Sequence, residues 1–170
     1  MSKVYINEKT FDKADFSTAG MTATDYENCV FTNCNFSNVD LSGLTFFECK
    51  FNGCDLSLAK LSKTAFKDVK FKDCKLLGLR FENCSEFLFS VNFEGCNLNL
   101  STFFKKSLKK THFANCILQE TDFTESDLSA AIGQYYREKC SKYPGSNGKF
   151  LFRDQGNRTL SALCVAYGRQ

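Results

Sequence analysis

Ten cysteines, one histidine and nineteen carboxylates are the residues of this 170-residue chain that could do chemistry. A thiolate ligates soft metals or attacks carbonyls, and an imidazole beside a thiol or hydroxyl activates it. The spacing supports neither. The sequence has no Cys-x-x-Cys and no Cys/His pair at zinc-finger spacing, so metal ligands do not converge locally. His112 is the only histidine, no nucleophile is placed with it, and it reads as a surface residue. No Gly-rich turn followed by Lys-Ser/Thr offers a cradle for phosphate. The carboxylates are spread along the chain, with no pair marked out for acid–base work. Seven cysteines instead share one beat: Cys29, Cys34, Cys49, Cys54, Cys74, Cys96 and Cys116. Cys84 is an eighth if that beat persists to it, and only Cys140 and Cys164 lie outside.

The beat is five residues long. Phe11, Phe16, Met21, Tyr26, Phe31, Phe36, Leu41, Phe46, Phe51, Leu56, Leu61, Phe66, Phe71, Leu76 and Phe81 follow one another at that interval without a miss. Two residues out of step, the count resumes at Leu88 and runs through Phe93, Leu98, Phe103, Leu108, Phe113, Leu118, Phe123 and Leu128. Five residues advance an α-helix by about 500°, which spreads the apolar side chains around the cylinder. In a straight strand an odd period alternates faces. All these centres reach one core only if the chain turns once per repeat. Four near-right-angle turns close a square coil, and coils stack at about 4.7–4.9 Å. Some six coils then make a rod roughly 29 Å long. The residue two before each centre also points inward and is mostly small. Lys9, Glu86 and Lys106 are the exceptions, and Lys9 and Glu86 open the two blocks. The two residues after each centre are mostly Ser, Thr, Asn, Asp, Gly, Lys or Glu, as a turn requires.

Stretches such as ADFST, CNFSN, VDLSG, CDLSL, CNLNL, TDFTE and SDLSA carry a further signal. They resemble the Ala-Asp/Asn-Leu/Phe-x-x consensus of pentapeptide-repeat proteins over residues 9 to 130. The resemblance implies an all-β fold, a right-handed quadrilateral parallel β-helix. Phe-rich centres and Cys at the small position are shared with the quinolone-resistance branch. Members of that branch are rods similar to duplex DNA in width and charge that engage DNA gyrase or topoisomerase IV. No family residue for topoisomerase contact can be matched to this sequence.

On this reading Phe31, Phe36, Phe46, Phe51, Phe66, Phe71, Phe81, Phe93, Phe103, Phe113 and Phe123 form the core, with Cys34, Cys54 and Cys74 stacked in a column. Stacked cysteines about 4.8 Å apart at Cα could in principle bridge, but parallel side chains hold Cβ atoms farther apart than the roughly 3.8 Å a disulfide prefers. Buried free thiols acting as small hydrophobes account for them. The single proline suits a coil whose backbone is hydrogen-bonded on both sides. No apolar run approaches the length of a membrane span, and the opening MSKVYINEK lacks the apolar core of a signal peptide. The expectation is a bacterial cytoplasmic protein with no cofactor, no metal and no small-molecule substrate.

The formal charge of +3 conceals a segregation. Residues 1–58 sum to −4, 59–110 to +6, 111–130 to −4 and 131–170 to +5. A basic belt therefore lies between acidic ends. Lys50 and Lys70 stack on one face and Lys60 and Arg80 on the opposite one. With Lys75 and Phe104 they make the expected interaction surface, suited to an anionic partner such as nucleic acid or acidic protein loops. Phe47, Leu58, Leu77, Phe89, Leu100 and Phe104 are the large residues expected to face out.

Phe81 to Leu88 spans seven residues, so residues 82–87 must hold a bulge or small loop. Repeats end at about residue 130. In 131–170, Ile132, Tyr136, Cys140 and Tyr143, and then Leu160, Leu163, Cys164 and Tyr167, fit short helices around the turn signal PGSNG. A helical cap or a homodimer contact would cover the open end of the rod. Two functions fit: a DNA-mimicking, non-catalytic binder of a type II topoisomerase, or a scaffolding solenoid for another protein partner. No feature points to an enzyme.

Overall fold

A turn every five residues makes every strand short. Residues 4–22, 24–87, 89–135, 150–153 and 159–162 are described by the computed structural model of the chain. The first coils contribute β1 (Tyr5–Asn7), β2 (Thr10–Asp12), β3 (Asp25–Glu27), β4 (Val30–Thr32), β5 (Thr45–Phe47), β6 (Lys50–Asn52), β7 (Ala65–Lys67) and β8 (Val69–Lys72). The later ones contribute β9 (Val91–Glu94), β10 (His112–Cys116), β11 (Ile132–Tyr135), β12 (Phe150–Arg153) and β13 (Thr159–Ala162). Among the described residues helix is confined to one turn at Phe16–Ala19 and a 3₁₀ turn at Phe81–Asn83.

Four faces result, as the period requires. On the first, β1, β3, β5 and β7 pair in parallel, Tyr5 with Asp25, Asp25 with Thr45 and Thr45 with Ala65. On the second, β2, β4, β6, β8, β9, β10 and β11 do the same. The third is a ladder of single bridges, Asp15–Asn35–Asp55–Lys75–Asn97–Ile117. The fourth carries Asp40–Lys60 and Arg80–Thr102–Asp122. The pairing step is twenty residues along most of the rod, twenty-two across the slip, where Val69 meets Val91, and nineteen at its far end, where Ile132 meets Leu151.

The second residue after most centres turns the chain by entering the left-handed region, for example Asn33, Leu58, Asp73 and Glu120 at φ 52°, 59°, 51° and 56°. A non-glycine residue costs about 1–2 kcal/mol there. At the corners beside the third and fourth faces a β-turn bond offsets it: Val39 N–H donates to Phe36 O, and Thr64 N–H to Leu61 O, both at 3.1 Å. A positive φ at the third position of the turn makes these type II. Among the described residues Val, Ile and Thr are absent from the positive-φ positions, as branching at Cβ demands.

Phe31, Phe36, Phe46, Phe51, Phe66, Phe71, Phe81, Phe93, Phe103, Phe113 and Phe123 are all fully buried. Along the second face Phe31, Phe51, Phe71 and Phe93 stack ring on ring at 4.7, 5.0 and 5.5 Å between centroids. Across the coil the same rings meet edge to face, as Phe46 and Phe51 do at 5.4 Å. Each such pair adds about 0.5–1.5 kcal/mol beyond area burial. Phe11, in the first coil, is only half-buried.

The inward small position does more than save space. Cys34, Cys54 and Cys74 form the predicted column, and the eight cysteines of the described residues are free thiols, Cys84 included. Several Sγ atoms point at carbonyls of the coil below: Cys54 at Phe31 O and Cys74 at Phe51 O, both at 3.3 Å. Thr64 and Thr121 make the same bond with hydroxyls, to Leu41 O at 2.8 Å and Leu98 O at 2.9 Å. Burial pushes the Cys49 thiol up to about 12, so it stays protonated as a donor. Where the inward residue is Cys, Ser or Thr it therefore adds a hydrogen bond to its packing; Val39, Ala59, Val69 and Leu79 fill the same position by size alone.

Three expectations are corrected. Glu86, placed inward by the second register, is exposed. Phe89, placed outward, packs on the core and meets the Phe81 ring edge-on at 6.3 Å. Two extra residues displace the chain between them, and Leu88, the nominal centre, lies outside the described residues. The third correction concerns the helical reading after the last repeat: Ile132–Tyr135 is a strand that extends the second face in parallel, and Leu160 lies in β13, antiparallel to β12. Tyr136, Cys140, Tyr143, Leu163, Cys164 and Tyr167 lie outside the described residues.

Candidate functional site

Packing consumes the inward positions, so a functional surface must be built from the residues flanking each centre. The strands of the second face present two outward columns. One runs Thr10, Val30, Lys50, Lys70, Asn92 and His112; the other runs Asp12, Thr32, Asn52, Lys72, Glu94 and Ala114. Lys50 and Lys70 are direct register partners. A shallow groove of about 480 Å³ opens over them, lined by Lys50, Asn52, Lys70, Lys72, Asn92 and His112 above the backbone of Phe71 and Phe93.

The electrostatics of this groove are uneven. Lys72 donates to Glu94 at 2.9 Å, and that carboxylate raises the Lys72 pKa. Among the described residues neither Lys50 nor Lys70 makes an ion pair. Glu48 and Asp68 line a second hollow at the adjoining corner, beside the same two lysines. Asn92 accepts the backbone N–H of His112 at 3.0 Å, which ties the upper part of the column together. Two adjacent ammonium groups without carboxylate partners repel mildly, and an anion spanning them relieves that repulsion.

The remaining belt residues do not join this groove. Lys60 and Arg80 lie on the fourth face, in a column that also holds Asp40 and Asp122. Arg80 is paired to Glu82 at 3.1 Å. Lys75 lies on the third face, 3.9 Å from Asp55. Phe104 sits at a corner, partly exposed. The spacing places Lys50 and Lys70 on one face and Lys60 and Arg80 on the opposite one, and the expected single surface resolves into separate faces, on which Arg80, Lys75 and Lys72 stand beside carboxylates while Lys50, Lys70 and Lys60 make no ion pair among the described residues. Leu58 and Leu100 are exposed as expected, while Phe47 and Leu77 are half-buried.

Many of the acidic columns are committed to structure. Asp40 accepts the Ser42 N–H at 3.0 Å, Asp55 that of Ser57 at 3.0 Å, and Asp122 that of Thr124 at 2.8 Å. These are Asx-turns closing the corners. The Ser42 hydroxyl and N–H hold Asp40 below the usual carboxylate range, and Ser129 does the same for Asp127. Asn35 and Asn97 occupy the same position with the same bond, to Ser37 and Asn99. Charge at that position is thus incidental to the turn.

The slip is the feature that sequence reasoning located without describing. Lys106 takes the inward position that Thr64 holds two coils below, and only 3% of it is exposed. Its Nζ donates to Cys84 O at 2.6 Å and lies 5.1 Å from the centre of the Phe89 ring. Burial lowers its pKa. Phe87 projects into solvent, 71% exposed, with the Lys67 Nζ 5.4 Å from its ring centre. Among the described residues no group of three or more His, Cys, Asp or Glu is arranged to hold a metal, and no helix is long and apolar enough to cross a membrane.

The family model for pentapeptide repeats matches residues 14–53, 49–85 and 107–132, in eight copies. It leaves out residues 86–106, the slip and the coil after it. Among solved structures, a trypsin-treated variant of QnrB1, a plasmid-mediated fluoroquinolone resistance protein, is 20% identical over 86% of this chain and 80% of its own, with a TM-score of 0.50. Full-length QnrB1 is 20% identical over 84% and 85%, with a TM-score of 0.38. HetL, a protein involved in heterocyst differentiation regulation in the cyanobacterium Nostoc, is 13% identical over 85% and 82%, with a TM-score of 0.27. No curated protein matches the chain.

Proposed function

This chain belongs to the pentapeptide-repeat family, and on that premise we propose that it is a non-catalytic protein-binding rod whose second face receives an acidic surface of its partner. The observation that carries the reading is the pair Lys50–Lys70, in register, without ion-pair partners and open to a groove. Carboxylates presented along an extended segment or loop would meet both ammonium groups and displace only water. Rim charges of this kind act on association rate and salt dependence more than on the lifetime of the complex.

The test is a charge reversal. Partner protein recovered from the native host by the wild-type chain should be lost with Lys50→Glu/Lys70→Glu and kept with Lys60→Glu/Arg80→Glu. Recovery unchanged by the first pair would sink the reading.

A narrower reading makes the partner DNA gyrase or topoisomerase IV, with the rod standing in for duplex DNA. The acidic bands at residues 1–58 and 111–130 support it, and the basic belt between them weighs against it. A supercoiling assay with added protein and quinolone decides: protection or inhibition supports this reading, and the absence of both removes it. In the same proposal the repeats to residue 130 form the binding unit, 131–170 cover its end or join two copies, and the cytoplasm of a bacterium is the site of action.

A further inference from the structure

The second face and the corner before it carry two pairs of like charges side by side. Glu48 and Asp68 stand at the corner, where both turn the chain at positive φ, 51° and 53°. Lys50 and Lys70 follow two residues later, in register on β6 and β8. All four are exposed, and all four line one hollow of about 430 Å³. The patch is confined to two coils. Asn28 and Val30 close its lower end. Above it Asn92 follows Lys70, and the Ser90 hydroxyl donates to Asp68 Oδ1 at 2.9 Å.

Among the described residues none of the four makes an ion pair. The neighbouring cations are engaged elsewhere. Lys72 is held by Glu94 at 2.9 Å, and the Lys67 Nζ stands 5.4 Å from the centre of the Phe87 ring. Within each pair the like charges sit one coil apart, about 4.8 Å at the backbone, and repel mildly. One carboxylate laid between two ammonium groups relieves the first pair. One guanidinium, whose fork reaches two acceptors, relieves the second. The two columns are two residues of chain apart, about 6.7 Å when extended. An extended segment lying across the rod alongside β6 and β8 has the same rise, so its residues i and i+2 reach both columns. Adjacent residues of such a segment point to opposite faces and cannot.

We propose that this patch recognises an arginine and an acidic residue two positions apart on an extended protein segment. The acidic residue bridges Lys50 and Lys70, and the arginine bridges Glu48 and Asp68. The inference rests on the lysine pair assigned above as a docking face, and adds a carboxylate half that selects against purely anionic partners, nucleic acid included.

The test is retention of the full chain over a salt gradient on two immobilised peptides of one composition, Ser-Arg-Ser-Glu-Ser and Ser-Ser-Arg-Glu-Ser. Wild type should elute later from the first. Glu48→Gln/Asp68→Asn should elute early from it, and Asp40→Asn/Asp122→Asn, matched in charge on the fourth face, should elute as wild type does. On Ser-Glu-Ser-Glu-Ser the Glu48→Gln/Asp68→Asn variant should instead be held longer than wild type, because two repelling carboxylates are gone. Elution of that variant with or after wild type from Ser-Arg-Ser-Glu-Ser overturns the proposal and leaves the lysine pair standing. Equal retention of wild type by the two isomeric peptides overturns it too. If Lys50→Glu/Lys70→Glu is retained on Ser-Glu-Ser-Glu-Ser as wild type is, the docking face itself falls, and this proposal with it.

Discussion

The coils of residues 25–84 and the coil that follows solve the same problem with different chemistry. In the regular coils, the donors at the inward position are small and neutral and reach a carbonyl one coil below: Cys54 to Phe31 O, Thr64 to Leu41 O. In the slipped coil the chain is two residues too long, and the corresponding donor is the buried ammonium of Lys106, reaching Cys84 O. The regular solution is neutral and repeats. The slipped one buries a charge, which costs free energy unless its hydrogen bonds are kept. The difference shows that a donor to the lower carbonyl can be short and neutral or long and charged, while Val39, Ala59, Val69 and Leu79 fill the same inward position with no donor.

That comparison can be broken at several strengths. The largest effect should come from the regular core: Phe51→Ala should cost on the order of 3–5 kcal/mol in chemical denaturation, as for a buried aromatic. Lys106→Met should cost about 1–3 kcal/mol, because it orphans Cys84 O while keeping the stem. A smaller loss than for Thr64→Val would show that the ammonium is not the slip's donor. The Lys106 contribution should also depend on pH. Burial depresses its pKa in the folded state, so in the window between that value and about 10.4 the unfolded chain holds the extra proton and stability rises with pH. The gap between wild type and Lys106→Met should therefore widen as the pH rises through the depressed folded-state pKa toward about 10.4. A gap that narrows would mean that the charged form is the favoured one inside. Thr64→Val should cost about 1 kcal/mol, the worth of one neutral hydrogen bond to a buried carbonyl. Asn52→Ala, on the outer surface, should stay within about 0.5 kcal/mol.

Much of this arrangement is legible in the sequence because a five-residue period leaves no other way to bury Phe31 through Phe81. The same periodicity assigns Cys34, Cys54 and Cys74 to one column and Lys50 and Lys70 to one face. It fails at Glu86 and Phe89, because a period predicts positions only while the register holds. Inside the slip, apolar burial and the reach of Lys106 decide instead. It also misreads Ile132, where an apolar spacing compatible with a helix is overridden by the exposed strand edge of β10, which supplies unpaired backbone groups for β11. The hydrogen bonds of the small inward residues are invisible to a pattern that sorts residues by size alone. Ion pairs likewise depend on side-chain reach: spacing places Arg80 outward but does not say that Glu82 neutralises it.

The account's central claim is that function lies on one outward face and not on the rod's charge as a whole. Retention on a polyglutamate matrix over a salt gradient tests it with two variants matched in charge, Lys50→Glu/Lys70→Glu and Lys60→Glu/Arg80→Glu. The account predicts early elution of the first pair and near-normal elution of the second, whose cations stand among Asp40, Glu82 and Asp122. Equal shifts for the two pairs would contradict it.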